Sequence, residues 1–98
     1  MRPSEALNLH RAGIRRIVSS HHATNPRVFG SVVRGEDTET SDLDILVDGT
    51  AGLSLRDLAR IETEIEDLTG LSKIDVIPSS FLTSPHIRNR VFREAQPI

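Results

Sequence analysis

The chain has 98 residues, of which 37% are hydrophobic and 27% are charged, and its formal net charge is −2. This length and balance predict one globular domain over residues 1–98 and exclude a disordered tail. The small negative charge gives no basis for direct nucleic-acid binding, and no apolar run reaches the roughly 20 residues that cross a bilayer. The chain contains no cysteine, which excludes thiol chemistry. With no apolar leader segment, we expect a cytoplasmic protein without a membrane partner.

The first elements are a helix and a short strand. Apolar residues at helical spacing predict a helix over residues 5–20. Residues 21–26 are interpreted as a polar connection. Val28 and Phe29 then predict a short strand that stops at a Gly30-Ser31 turn.

The next segment combines a loop with an alternating strand. Residues 32–35 fit a short helical turn, and residues 36–41 (EDTETS) predict an exposed loop because they contain no apolar anchor. Residues 42–47 (DLDILV) alternate with a period of two, which is typical of a strand. One face of this strand carries Asp42, Asp44 and Leu46.

The second half predicts a helix, a strand and a further helix. Ser54 is a good N-cap, and an apolar stripe from there to Gly70 predicts the long second helix. Residues 73–77 (KIDVI) predict a strand with Asp75 on the face opposite its apolar residues. Ser79-Ser80 and Ser84-Pro85 are both start signals for a last helix, which is predicted to end near Gln96-Pro97. This order predicts an α/β (α+β) fold, a small mixed sheet with helices mainly on one face and room for a site on the other.

Asp42 and Asp44 are candidate metal ligands. Residues two apart in a strand point the same way, with Cα atoms about 6.5 to 7 Å apart. Two carboxylates on a largely apolar strand repel each other, and a divalent cation relieves that repulsion. Because the donors are hard oxygens, Mg²⁺ fits better than Zn²⁺, and Mg²⁺ usually completes its coordination shell with phosphate oxygens and water.

Three further features extend this candidate site. Gly30 and Ser31, at a strand end, allow backbone N–H groups and a hydroxyl to approach a phosphate. Asp75, from a separate strand, is suited to bind a second metal ion or to accept a proton from an attacking hydroxyl. Arg34 fits two roles equally well, as a partner of the triphosphate or as an ordinary salt-bridge partner.

Each feature alone is more often structural. Most Gly-Ser pairs are plain turns, and an Asp-x-Asp pair is often a solvated strand edge. A single acidic residue on a strand commonly serves to prevent edge-to-edge aggregation. Their combination at this spacing favours a metal and triphosphate site.

The combination also resembles a known pattern. Gly30-Ser31, ten residues and then Asp42-Leu43-Asp44 match the GS-x10-DxD signature of the DNA polymerase beta-like nucleotidyltransferase superfamily. VFGSVVRGEDTETSDLDILVD, residues 28–48, and KIDVIPSS, residues 73–80, are similar to the core of its minimal nucleotidyltransferases.

The resemblance implies a set of roles for the candidate residues. Asp42 and Asp44 would bind two Mg²⁺ ions and Asp75 would complete the catalytic site. Gly30 and Ser31 would hold the triphosphate of ATP.

The resemblance further implies a partner of the HEPN type, an all-helical ribonuclease toxin. The enzyme would act as its antitoxin by moving AMP from ATP onto a hydroxyl of the toxin, typically a tyrosine. The chain has no long segment after residue 78 that could grip an acceptor, which favours a hetero-oligomer with this partner. Two alternatives are a non-catalytic antitoxin that neutralises the toxin by stoichiometric binding, and nucleotidyl transfer to a small-molecule hydroxyl.

Overall fold

Three helices and four strands make up the fold. A computed structural model describes all 98 residues. The helices are α1 (Pro3–Ser19), α2 (Leu55–Thr69) and α3 (Pro85–Glu94), and the strands are β1 (Ala23–Phe29), β2 (Leu43–Gly49), β3 (Ile74–Pro78) and β4 (Gln96–Pro97). Two short 3₁₀ turns, η1 (Gly30–Val32) and η2 (Ser79–Phe81), follow β1 and β3. No helix is long and apolar enough to span a membrane.

The four strands form one mixed sheet in the order β3-β2-β1-β4. β1 is antiparallel to both β2 and β4, whereas β2 and β3 are parallel and are joined through α2. In the parallel pair, Asp44 lies opposite Asp75. The topology therefore places two of the predicted site residues side by side.

The hydrophobic core lies between one face of the sheet and the helices α1 and α2. Alternate residues of β2 and β3 point into it, in keeping with the period-two pattern of these strands, and β1 contributes Ala23 and Val28. The core contains 14 buried residues, among them Ile14 of α1, Ile45 of β2, Ile61 of α2 and Val76 of β3. The expected α+β fold, with helices mainly on one face, is confirmed.

The long second helix begins and ends where its sequence predicts. The Ser54 hydroxyl accepts the N–H of Asp57 at 3.2 Å, and the Asp57 carboxylate accepts the N–H of Ser54 at 2.9 Å. Gly70 ends the helix at φ +76°, a left-handed conformation that favours glycine. The capping box and terminal glycine thus fix the length of α2 and the start of β3.

The first strand is longer than its composition suggests. Residues 23–26 belong to β1, so their interpretation as a polar connection is wrong. The pairing with β2 shifts register between Thr24 and Arg27, and Asn25 has φ +53°. Backbone hydrogen bonding to β2 keeps this polar stretch extended, and neighbours distant in sequence decide that pairing. β4, which pairs with Arg27 and Val28, was not predicted either.

The loop of residues 36–41 is not wholly exposed as expected. The Asp37 side chain is buried and accepts the N–H of Ser4, in the first turn of α1, at 2.9 Å. Burial acts to raise the pKa of Asp37, but the hydrogen bonds from Ser4 outweigh it and hold that pKa below its usual value. Asp37 therefore ties the loop that leads into β2 to the start of α1.

The sheet face opposite the core is partly covered by α3. Arg27 of β1 places its guanidinium 5.4 Å from the centroid of the Phe92 ring in α3, a cation–π contact. Leu46 shares the face of Asp44 yet is fully buried. Near the start of β2 and β3, this face carries the half-buried Asp44 and the exposed Asp75.

Candidate active site

Three predicted carboxylates converge at one end of the sheet. Asp42 immediately precedes β2, Asp44 lies within β2, and Asp75 lies within β3. Each offers one oxygen atom, and these three atoms all lie within 4.8 Å of one another. Strand alternation explains the arrangement, since neighbouring Leu43 and Ile74 point into the core.

The electrostatics of this cluster centre on Asp44. Its side chain is half-buried, whereas Asp42 and Asp75 are exposed. Burial, followed by the negative charges of Asp75 and Asp42, raises the pKa of Asp44 to about 6. The cluster therefore concentrates negative charge that a bound cation would neutralise.

The donor set fits Mg²⁺. All three side chains supply hard carboxylate oxygens, with neither cysteine nor histidine among them. Burial and, after it, repulsion by Asp75 and Asp42 raise the pKa of Asp44, and a bound divalent ion would offset that repulsion. These residues can hold a metal ion, and their identity as its ligands stays a prediction.

Gly30 lies directly against the cluster. It follows β1, opens η1 and has φ +79°, a conformation that L side chains rarely adopt. A Cβ atom at this position would collide with the carboxylate of Asp44. Both the backbone conformation and the close contact thus favour glycine here, and they place the Gly30-Ser31 turn beside the predicted metal ligands.

The donors predicted for a triphosphate are engaged by carboxylates of the chain itself. The N–H of Gly30 donates to Oε1 of Glu94 at 2.9 Å. Arg34 donates from Nε to Glu36 at 2.7 Å and from Nη1 to Glu94 at 3.2 Å. Of its two proposed roles, Arg34 therefore takes that of a salt-bridge partner in this structure, while remaining beside the turn.

Glu94 is a site residue that sequence reasoning missed. It ends α3 and belongs to no motif, and 64 positions separate it from Gly30. Only the packing of α3 across the sheet brings the two together. No local sequence pattern indicates such a contact.

The largest cavity lies away from the carboxylates. It has a volume of about 460 Å³ and is lined by residues that include Asp48, Leu58, Pro78 and Phe81. These residues lie towards the carboxyl ends of β2 and β3, and Asp48 is four residues, about 13 Å along the strand, from Asp44. Because the carboxylates hold the chemistry, we place the candidate active site at their open end of the sheet.

Comparison with known proteins identifies the family of the chain. Residues 11–98 match the family model described as "Nucleotidyltransferase domain". A solved structure, provisionally titled a minimal nucleotidyltransferase, superposes with a TM-score of 0.85 and 40% sequence identity. That superposition covers 97% of this chain and 95% of the other.

Two archaeal relatives have related names. A protein of Methanocaldococcus jannaschii, provisionally named a protein adenylyltransferase, is 38% identical over 81% of this chain and 83% of its own length. Protein adenylyltransferase MntA of Thermococcus cleftensis is 46% identical over 68% of this chain and 66% of its own length. The family match and the structural likeness together confirm the resemblance seen in the sequence: the chain belongs to the nucleotidyltransferase family, as a minimal nucleotidyltransferase, and is an enzyme of the adenylyltransferase type.

Proposed function

We propose that the enzyme transfers AMP from ATP–Mg²⁺ onto the hydroxyl group of a tyrosine in a partner HEPN ribonuclease toxin. By this modification it would act as the antitoxin of that partner. The observation that carries the proposal is the convergence of Asp42, Asp44 and Asp75 beside the Gly30 turn. Carboxylates for metal ions and a glycine turn for phosphates are the two requirements of nucleotidyl transfer.

Each residue has a distinct task in this proposal. Asp42 and Asp44 would hold the two Mg²⁺ ions, and Asp75, whose carboxylate lies with theirs, would complete the set. The Gly30 N–H and the Ser31 hydroxyl bind phosphate oxygens, with Arg34 supplying a positive charge. When bound, Mg²⁺ would neutralise the charge of the triphosphate and polarise its reacting phosphate.

The reaction is an in-line displacement at the α-phosphorus of ATP. The acceptor oxygen forms a bond to that phosphorus while the bond from the phosphorus to the oxygen bridging to the β-phosphate breaks. Pyrophosphate carries away the bonding electron pair, and the acceptor proton passes to the carboxylate of Asp75. The products are pyrophosphate and an acceptor that carries AMP in a phosphodiester bond.

The openness of the site supports a macromolecular acceptor. Asp42 and Asp75 are exposed, and the largest cavity, which would suit a small acceptor, lies at the other end of the strands. A protein surface could approach the carboxylates directly. The name of the Thermococcus relative, a protein adenylyltransferase, supports the same acceptor class, and the HEPN partner follows from the resemblance to minimal nucleotidyltransferases.

The test is transfer of label from α-³²P-ATP in the presence of Mg²⁺ and the HEPN protein that we propose as the partner. We expect labelled HEPN protein, label on tyrosine in mass-spectrometric peptide mapping, and loss of its ribonuclease activity at substoichiometric enzyme. Asp44→Asn should abolish labelling because it removes a metal ligand. Asp67→Asn, the same change at an exposed position of α2, is the matched control and should label normally.

Other outcomes would contradict the proposal in distinguishable ways. Neutralisation of the toxin only at a one-to-one ratio, without label and without dependence on ATP, would indicate a binding-only antitoxin. Labelling of a small molecule but not of the protein would indicate a different acceptor. Equal labelling by wild type and Asp44→Asn would mean that the reaction does not depend on the predicted metal site.

A further inference from the structure

Glu94, the last residue of α3, contacts two groups to which we assign the triphosphate. Its Oε1 atom accepts the N–H of Gly30 at 2.9 Å, and its two oxygens lie 3.3 and 3.2 Å from Nη1 of Arg34. The Glu94 side chain is only 19% exposed, so water screens this contact weakly. A backbone amide and a guanidinium are also the donors that bind phosphate oxygens in proteins.

A carboxylate and a phosphate compete for such donors. Gly30 has a single N–H, and a hydrogen bond to Glu94 leaves it unavailable to a phosphate oxygen. Both competitors are anionic, so they also repel each other at this distance. A triphosphate bound at the Gly30 turn and Glu94 in its present position therefore exclude one another.

We propose that Glu94 occupies the phosphate-binding donors of the nucleotide-free enzyme, and that a nucleotide must displace it, so that Glu94 sets the affinity for ATP. This inference rests on the proposed function, because it assumes that Gly30 and Arg34 bind the triphosphate.

The attachment of α3 makes the displacement feasible. Within α3, only Val91 is buried. The other side-chain contacts of α3 are peripheral: Arg88 donates to the carbonyl oxygens of Ser79 and Leu82, and the Phe92 ring lies 5.4 Å from the guanidinium of Arg27 in β1. β4 begins two residues after Glu94 and pairs with β1, which holds the end of α3 in place. Release of Glu94 therefore requires a change of its own rotamer, without disruption of the core between the sheet and α1 and α2.

The change in apparent affinity for the nucleotide depends on the fraction of molecules in which the Glu94 contact is formed. A nucleotide binds only the fraction of molecules in which the donors are free, so its apparent affinity falls in proportion to that fraction. If the Glu94 contact forms in about nine molecules of ten, the apparent affinity falls about tenfold. Removal of the contact should raise the apparent affinity for the nucleotide by the same factor.

The test measures binding of a non-hydrolysable ATP analogue with Mg²⁺ by titration calorimetry. We expect Glu94→Gln, which removes the charge and weakens the contact but keeps an acceptor oxygen, to bind the analogue more tightly than the wild type, by up to about tenfold. Glu36→Gln is the matched control, because Glu36 also pairs with Arg34 but does not contact Gly30. We expect this control to change the affinity less than about twofold, as for an exposed ion pair.

A second measurement needs no nucleotide. The backbone N–H resonance of Gly30 should shift upfield in Glu94→Gln relative to the wild type, since its charged acceptor is lost. Circular dichroism verifies that the variant is folded. An unchanged Gly30 resonance would mean that the contact is not formed in solution and would overturn the inference.

The outcomes separate this inference from the proposed function. Equal or weaker analogue binding by Glu94→Gln, or an equal gain in Glu36→Gln, overturns the role of Glu94 while the nucleotide site stands. Failure of the wild type and of Glu94→Gln to bind the analogue at all overturns the assigned nucleotide site and this inference with it.

Discussion

The backbone of Gly30 and the carboxylate of Asp44 are in direct contact, with no space for a Cβ atom between them. The turn that we assign to the triphosphate therefore packs against a predicted metal ligand rather than facing it across a cleft. A side chain introduced at Gly30 would act on both halves of the site at once.

Gly30→Ala should reduce transfer by about 100-fold or more, because the new methyl group displaces the Asp44 carboxylate and a small misplacement of a catalytic group is costly. The comparison of kcat/KM for AMP transfer measures this loss. Gly70→Ala is the matched control: Gly70 has a similar φ of +76°, but nothing lies within 4 Å of its Cβ position. Both variants should lose about 1 kcal/mol of stability, and equal activity losses would contradict the steric explanation.

Asp44→Asn should stabilise the metal-free protein at neutral pH while it abolishes transfer. The pKa of Asp44 is raised to about 6 in the folded state, so ionisation opposes folding as the pH rises from about 4 to above 6. Because Asp44 is half-exposed, solvent screening reduces the gain in unfolding free energy to about 1 kcal/mol. Urea unfolding in EDTA at pH 8 measures this gain in unfolding free energy relative to the wild type. The same comparison near pH 4 should show no gain. A destabilised variant at pH 8 would be inconsistent with repulsion in the cluster.

Mg²⁺ should raise the melting temperature of the wild type more at pH 8 than at pH 5. A ligand that binds only the folded state stabilises it, and at pH 5 Asp44 must first lose a proton before it can coordinate the ion. Differential scanning calorimetry with Mg²⁺ or with EDTA measures the difference. Asp44→Asn should lose the response and Asp67→Asn should keep it. A response of equal size in both variants would place the ion elsewhere.

Asp37→Ala should destabilise the fold by about 1 to 2 kcal/mol, because it removes the buried acceptor of the Ser4 N–H. The lowered pKa of Asp37 means that its contribution is present at neutral pH and is lost as the pH falls through the folded-state pKa. Urea unfolding at pH 7 measures the change. Glu39→Ala, in the same loop but 78% exposed, should have little effect. Similar losses in both variants would argue against a specific role for Asp37.

Local patterns in the sequence were sufficient to predict the carboxylate cluster. The alternation of apolar and polar residues around Asp44 and around Asp75 predicts the face of the sheet on which each side chain lies. The glycine turn predicts the end of a strand. Each of these patterns spans only a few residues. The parallel pairing of β2 and β3 then follows from the intervening helix, which explains why the fold class was also predictable.

The contacts that escaped prediction connect residues distant in the chain. Asp37 meets Ser4 across 33 positions, and Glu94 meets Gly30 across 64. Leu46 lies on the polar face of its strand by alternation, yet it is fully buried. In each case a partner from another element decides the environment, and a single sequence carries no local pattern for that partner.

Asp44 and Asp75 are direct register partners in the two parallel strands. The separation of their backbones is therefore set by the hydrogen-bonding distance between neighbouring strands, about 4.8 Å, and not by any loop. Loops near the site could change in length or sequence without altering that separation. This feature recommends the fold as a scaffold for protein engineering, in which new acceptor-recognition loops could be grafted around an unchanged reaction centre.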